Sequence, residues 1–302
     1  MMYLMDYHKS VLLNESIEGL GIKPEGVYVD VTFGGGGHSK AILEQLNNRG
    51  KLYAFDQDDD AQENIISDSR FTLIPHNFRH IKRYLRFCGV KAVDGILGDF
   101  GVSSHQFDVA ERGFSIRFDG ALDMRMDQKI KRSAYTVVNT YEEEELRQLF
   151  WTYGELRNAP KLARAIVHAR KEKSITTNEG LKEVLLPFLP KRREFKMLAQ
   201  VFQAIRIEVN EELDVLKEFL QQTAQLLAVG GRLSLISYHS LEDRLVKRFI
   251  RNGLFEGEPE KDMYGRVEVP FKKVGKLITP SEEELLTNNR SRSAKLRIAE
   301  RI

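Results

Sequence analysis

At 302 residues with 42% hydrophobic content, the chain can bury one large α/β core or two smaller ones. A formal charge of +2 selects no partner class, but a lone cysteine, Cys88, excludes an internal disulfide framework and a cysteine-based zinc knuckle. No stretch reaches the roughly 18–20 unbroken apolar residues of a membrane span; residues 1–9 lack a signal-peptide layout, so a cytoplasmic protein with no membrane partner is expected.

The first predicted element is a β-branched and aromatic strand from Val27, followed by Gly34-Gly35-Gly36-Gly37 and a helical pattern through Ser39, Ala41, Ile42, Leu43 and Leu46. Strand, glycine turn and helix open a nucleotide-type α/β fold, in which a ligand sits against bare backbone at a helix N-terminus. Further buried strands are expected at Lys51–Asp56, Phe71–His76 and Val93–Phe100, with helical segments at 58–67 and about 79–88 between them. This alternation implies a parallel sheet covered on both faces. From 108 to 205 the pattern is helical throughout, notably at 142–151, 159–170 and 178–188. One long amphipathic helix, 208–229, then leads through Gly230-Gly231 to a strand at 232–238. Ser240 reads as the N-cap of a helix reaching Asn252, and strand candidates at 267–274 and 294–300 close the chain. The expectation is a discontinuous α/β core, 1–107 with 206–302, split by an all-helical insertion at 108–205.

Asp56 lies twenty positions beyond Gly36, at the end of the second strand, the spacing of a carboxylate that binds ribose hydroxyls. That spacing suits a dinucleotide and S-adenosylmethionine alike. Asp30, in the first strand, favours the second, because a carboxylate there repels a pyrophosphate and attracts a cationic amino-acid end; otherwise it caps the loop. Ser39 also replaces the third glycine of the dinucleotide fingerprint. Asp99 ends the fourth strand, which in an open α/β sheet neighbours the first at the ligand crevice. A polar loop through His105 and Gln106 follows it.

Three basic runs interrupt a nearly neutral chain: Arg79, Lys82, Arg83 and Arg86; six Lys/Arg within 157–173; and Arg290, Arg292, Lys295 and Arg297. Each alone reads as a solvated helix face or helix end; together they suggest a polyanion surface, with 157–173 and 290–297 as the preferred phosphate-backbone contacts. Trp151 and Tyr153 read as core rather than base-stacking platforms, and Cys88 as a buried packing residue. A mechanism that needs a thiolate nucleophile is therefore disfavoured. His76 and His80 lack a third ligand, so no metal site is expected. His239, at the end of the fifth strand, is a candidate for touching a substrate base.

Several motifs, in order, match one family: Thr32-Phe-Gly34 through His38-Ser39, Gly95-Ile-Leu-x-Asp99-x-Gly-Val-Ser-Ser104, Ala110-Glu-Arg-Gly-Phe-Ser115, Leu122-Asp-Met-Arg-Met-Asp127, Phe202-Gln-Ala-Ile-Arg-Ile, Ser237-x-His-Ser-Leu-Glu-Asp-Arg244 and Leu296-Arg-Ile-Ala-Glu-Arg301, preceded by His8-x-Ser10. The chain resembles the bacterial small-subunit ribosomal RNA cytosine-N4 methyltransferases, the MraW or RsmH family, over essentially its whole length. The resemblance implies a class I, Rossmann-like methyltransferase sheet interrupted by a helical substrate-recognition domain. It implies S-adenosylmethionine as donor and a cytidine in the decoding region of small-subunit ribosomal RNA, free or in the assembled subunit, as acceptor; a homodimer is compatible with it. Carried over by motif, the cofactor contacts are Gly36, Gly37, His38, Asp56, Phe78, Asp99 and Gln106. His105 stands where the family's loop has proline, which leaves Gln106 the least fixed of these. Asp99, with carbonyls of residues 100–103, is the candidate acceptor for the amino protons of the base, unless it contacts the cofactor alone. The alternatives are a ribose 2′-O or other nucleic-acid methyltransferase, and a non-catalytic RNA-binding or assembly factor.

Overall fold

A computed structural model describes residues 10–260, 263–264 and 267–302. In chain order it contains α1 (Leu13–Leu20), β1 (Val27–Asp30), α2 (Gly37–Gln45), β2 (Lys51–Phe55), β3 (Phe71–Ile74), α3 (Ile81–Phe87), β4 (Val93–Asp99), α4 (Ser104–Asp108), α5 (Ala134–Thr140), α6 (Glu143–Thr152) and α7 (Ala159–Glu172). These are followed by α8 (Asn178–Leu185), α9 (Glu194–Asn210), α10 (Glu212–Leu226), β5 (Leu227–Ser237), α11 (Ser240–Asn252), β6 (Phe271–Ile278), α12 (Glu282–Thr287) and β7 (Lys295–Arg301). The chain divides into two compact units, Met1–Gly101 with Asp214–Ile302, and Val102–Leu213. The sequence pattern set these divisions at 107/108 and 205/206.

The first unit holds a seven-stranded sheet in the order β3-β2-β1-β4-β5-β7-β6. β1 to β5 pair in parallel, whereas β7 runs antiparallel to both β5 and β6. This is the class I methyltransferase sheet that the resemblance implies. β1 and β4 are central strands covered on both faces, so they read as almost continuous apolar runs: Tyr28, Val29, Ile96 and Leu97 are all buried. The chain reverses strand order at β1 and β4, which opens the crevice at their carboxyl ends.

The second unit is built of helices around its own core, in which Val137, Leu146, Phe150, Leu162, Ile166, Leu181, Val201 and Ile205 pack together. Its six helices α4 to α9 form no strand, only an isolated bridge between Ala121 and Thr177.

Several elements depart from the sequence reading. The long helix placed at 208–229 is two helices, α9 and α10, because Glu211 between them takes the left-handed region at φ 52°. The segment 58–67 forms only a 3-10 turn, Asp59–Asn64. The strand expected at 267–274 is displaced to β6, which ends at Ile278. The N-cap of α11 is His239 rather than Ser240. Its Nδ1 accepts from the backbone N–H of Glu242 at 3.4 Å, and the Glu242 carboxylate accepts from the N–H of Tyr238 at 2.9 Å.

Candidate active site

The glycine turn has a conformational reason. Gly34 and Gly36 adopt φ 49° and 76°, in the left-handed region that side chains disfavour. Gly36 is the N-cap of α2 and offers no capping side chain, so the first N–H groups of the helix, beginning with Gly37 and His38, stay available to a ligand.

Three aspartates end the three adjacent strands β1, β2 and β4, and each is tied differently. Asp30 is fully buried: Ser39 Oγ donates to its Oδ2 at 2.7 Å and the Thr32 N–H to its Oδ1 at 3.1 Å. It therefore braces the loop after β1, and its burial within the sheet unit sets it apart from the more open end of the crevice. Asp56 accepts from the N–H of Gly34 at 2.8 Å and of Asp58 at 2.9 Å, binding the glycine turn to the loop after β2. Asp99 accepts at Oδ1 from the Tyr238 hydroxyl at 2.7 Å, and its own N–H donates to Thr32 Oγ1 at 2.7 Å. Among the described residues, no protein group donates to Asp99 Oδ2, and no Lys or Arg pairs with any of the three.

Burial raises all three carboxyls to about 6. For Asp99 the nearby His38 and the Tyr238 hydrogen bond oppose that rise, while Asp30 and Glu242 add to it. A cluster of uncompensated acids, held at cost, is the setting for a cationic ligand. Among the described residues no Lys or Arg pairs with these acids, so the cluster does not favour a pyrophosphate.

The remaining sequence candidates fall as follows. His38 is buried, and its Nε2 lies 3.1 Å from the Val11 carbonyl, so the ring is held by the fold. Burial also lowers its pKa. Phe78, after β3, is half-buried and packs edge-on against Phe219 at 5.3 Å and against Phe100 at 6.0 Å. Gly36, Gly37, Asp56, Phe78 and Asp99 thus belong to the sheet unit, at or just after strand ends. Gln106 belongs to the helical unit, where its Oε1 accepts from the Ser103 N–H at 3.1 Å in the capping box of α4. His239 caps α11 through Nδ1, and its Nε2 makes no hydrogen bond among the described residues.

Two residues were missed by sequence reasoning: Tyr238, which holds Asp99, and Thr32, which links Asp99 to Asp30. Neither carries a local signal, because both act across strands.

The basic runs are redistributed. Arg79 pairs with Glu218 at 2.6 Å, and Lys295 and Arg297 pair with Asp243 at 3.3 and 2.7 Å. Arg170 donates to the Val138 carbonyl at 2.8 Å, leaving Arg157, Lys161, Arg164, Lys171 and Lys173 as the exposed cations of that run. Cys88 is exposed rather than buried. It follows the last turn of α3 and leads into the start of β4 at Val93, the opposite end of that strand from Asp99, so a thiolate mechanism stays disfavoured.

Residues 5–302 match the model of the MraW methylase family. The chain belongs to this family. It is 68% identical over 302 residues to the ribosomal RNA small subunit methyltransferase H of Christiangramia forsetii, covering 100% of both chains. It is 66% identical to the enzyme of that name from Flavobacterium johnsoniae, covering 99% of each, and 56% identical to that from Phocaeicola vulgatus, covering 98% of this chain and 97% of that one. The family's methyl donor is S-adenosylmethionine, and the chemistry of the crevice fits it: buried acids suit a cationic ligand, and the glycine turn at the start of α2 carries no capping side chain.

The titration of the acids gives a test. Each free carboxyl titrates near 6 against an ordinary 3.8, so the folded state favours the protonated form. The stability these groups contribute is full below pH 3.8 and is lost as pH rises through about 6. A cationic ligand needs the opposite, ionised form. S-adenosylmethionine affinity is therefore expected to fall as pH drops from 7 to 5, by up to about tenfold for each carboxylate involved. Calorimetry at the two pH values checks this; an affinity independent of pH would remove the acids from the binding site.

Proposed function

We propose that the chain transfers a methyl group from S-adenosylmethionine to the exocyclic N4 of a cytidine in small-subunit ribosomal RNA. The observation that carries this reading is Asp99, an acid at the crevice with one oxygen pinned by Tyr238 and the other without a donor among the described residues. The names of the relatives, all ribosomal RNA small subunit methyltransferases, support the RNA class.

Bound S-adenosylmethionine supplies an activated methyl group on a sulfonium sulfur. Every other task belongs to the chain. Gly36, Gly37 and His38 offer backbone N–H groups, Asp56 takes the ribose hydroxyls, and Phe78 forms an apolar wall. The N4 lone pair is delocalised into the cytosine ring, so the amine is a weak nucleophile. Asp99 Oδ2 accepts a hydrogen bond from the amine, which orients it and draws its electrons toward the bond being formed. As N4 becomes positive, the same oxygen takes the surplus proton; a carboxyl near 6 is ionised enough at neutral pH to do so. The helical unit, with the exposed cations of 157–173, serves RNA recognition.

The test is labelled methyl transfer to small ribosomal subunits from cells lacking this protein, followed by nuclease digestion and mass analysis. The expected product is a cytidine bearing the methyl on its base. A methyl on the ribose, or on another nucleoside, would replace this reading with a different RNA methyltransferase.

A further inference from the structure

A group of exposed cations that enter no ion pair among the described residues lies in a turn that no basic run in the sequence marked. The segment from Leu186 to Met197 carries Lys191, Arg192, Arg193 and Lys196 against one acid, Glu194. All four cations are exposed, and among the described residues their side chains enter no ion pair. Two rings stand among them: Phe195 is 78% exposed and Phe188 is 46% exposed. Leu189, between them, is anchored in the helical core, and the Arg193 N–H donates to the Pro190 carbonyl at 3.0 Å, so the turn is a built feature. Arg192 takes φ 80°, a conformation that non-glycine side chains rarely adopt and that the surrounding turn must hold.

Hydrogen bonds tie this turn to its neighbours within the same unit. Asn158 Nδ2 donates to the Phe188 carbonyl at 3.3 Å, which places the start of α7, with exposed Arg157 and Lys161, beside it. Gln200 Nε2 donates to the Gly154 carbonyl at 3.0 Å and Gln203 Nε2 to that of Tyr153 at 3.3 Å, fastening α9 to the end of α6. That end carries Trp151, which is 55% exposed and not the core residue its sequence context suggested.

We infer that this basic and aromatic turn, Phe188 to Lys196 with Trp151 beside it, docks a single-stranded stretch of the RNA substrate. The inference rests on the reading of the chain as an RNA methyltransferase. The chemistry selects the partner. An apolar protein surface that covered the rings would also have to desolvate four cations without pairing them. A duplex offers phosphates, but its bases are stacked away from the rings. A single strand supplies both phosphates for the cations and π-faces for Phe188, Phe195 and Trp151.

The test uses the full chain, fluorescence anisotropy, and a labelled unstructured RNA of about ten nucleotides, with a blunt RNA duplex as comparison. Phe195→Ala is expected to weaken single-strand binding about five- to tenfold, leaving the salt slope unchanged. Arg192→Ala with Arg193→Ala is expected to weaken it and lower the salt slope by about 1 to 2. Phe195→Trp should retain binding. Because Trp151 is the lone tryptophan, a stacked base should quench its emission on RNA addition in the parent. Unchanged S-adenosylmethionine calorimetry in each variant shows that the fold is intact. If the parent binds and methylates RNA while these variants bind single strands normally, the docking inference alone fails. If the parent neither binds RNA nor transfers a methyl group, the functional reading fails first. If the turn instead holds vesicles of phosphatidylglycerol and phosphatidylcholine, with Phe195→Ala abolishing that binding and sparing RNA, the inference is overturned in favour of a membrane surface.

Discussion

Asp99→Asn should lower kcat by about 10²- to 10³-fold while changing the dissociation constant of S-adenosylmethionine by less than about threefold. Asparagine is nearly isosteric and can still accept from the Tyr238 hydroxyl, which lies 2.7 Å from Oδ1 in the parent. What it loses is the second charged oxygen, and with it the acceptor for the amine proton. Single-turnover methyl transfer, with cofactor affinity from calorimetry, separates the two quantities. Normal turnover with normal cofactor binding would strip Asp99 of its chemical role; a lost affinity with normal turnover at saturation would make it a cofactor ligand only. Tyr238→Phe supplies a graded comparison. Removing the hydroxyl deletes one hydrogen bond that lowers the Asp99 pKa, so the acidic limb of the pH–rate profile should move to higher pH. The charged or titratable groups facing Asp99 (His38, Asp30 and Glu242) are unchanged by that substitution.

The parts of this site that could be read from sequence are those set by local chain geometry. The strand, the four glycines and the start of α2 are contiguous, so their residue types report their conformation directly. Asp56 and Asp99 were legible because each ends a run of apolar residues whose length fixes where the strand stops. What escaped were relations between distant segments. Arg79 looked like one of several free cations, yet Glu218, 139 positions away, holds it. Asp30 suggested a ligand contact, and its hydrogen bonds from Ser39 and Thr32, which tie it into the loop, were not legible. Glu211 breaks a helix in a conformation that glutamate gives no hint of adopting. Trp151 and Cys88 have apolar character, and their exposure depends on which way the ends of α6 and α3 face. In each case the deciding partner was set by tertiary packing, which residue spacing along one segment does not encode.

Asp56→Asn should show the opposite signature from Asp99→Asn, raising the S-adenosylmethionine dissociation constant by about 10²-fold while changing kcat at saturating donor by less than about threefold. Two charge-assisted hydrogen bonds to ribose hydroxyls, each contributing on the order of 1.5 kcal/mol, account for a loss of that size. The parent carboxylate also accepts from two backbone N–H groups, those of Gly34 and Asp58. Asparagine can accept only one of them, and its amide then turns a donor toward the other, so the glycine turn loses a tie as well as a charge. The free protein should suffer little, because the same substitution removes an ionised group that burial disfavours above pH 6. Thermal melting should therefore give a similar midpoint without ligand and a much smaller upward shift with it. Steady-state kinetics with varied donor, read beside those melts, decides between two arrangements. A rise in KM alone makes Asp56 the cofactor anchor and leaves the chemistry to Asp99. An equal fall in kcat would mean that the acids at positions 30, 56 and 99 act as one electrostatic unit, in which the ionisation of each is set by the others and by the bound cation, and no single residue holds the reactive role.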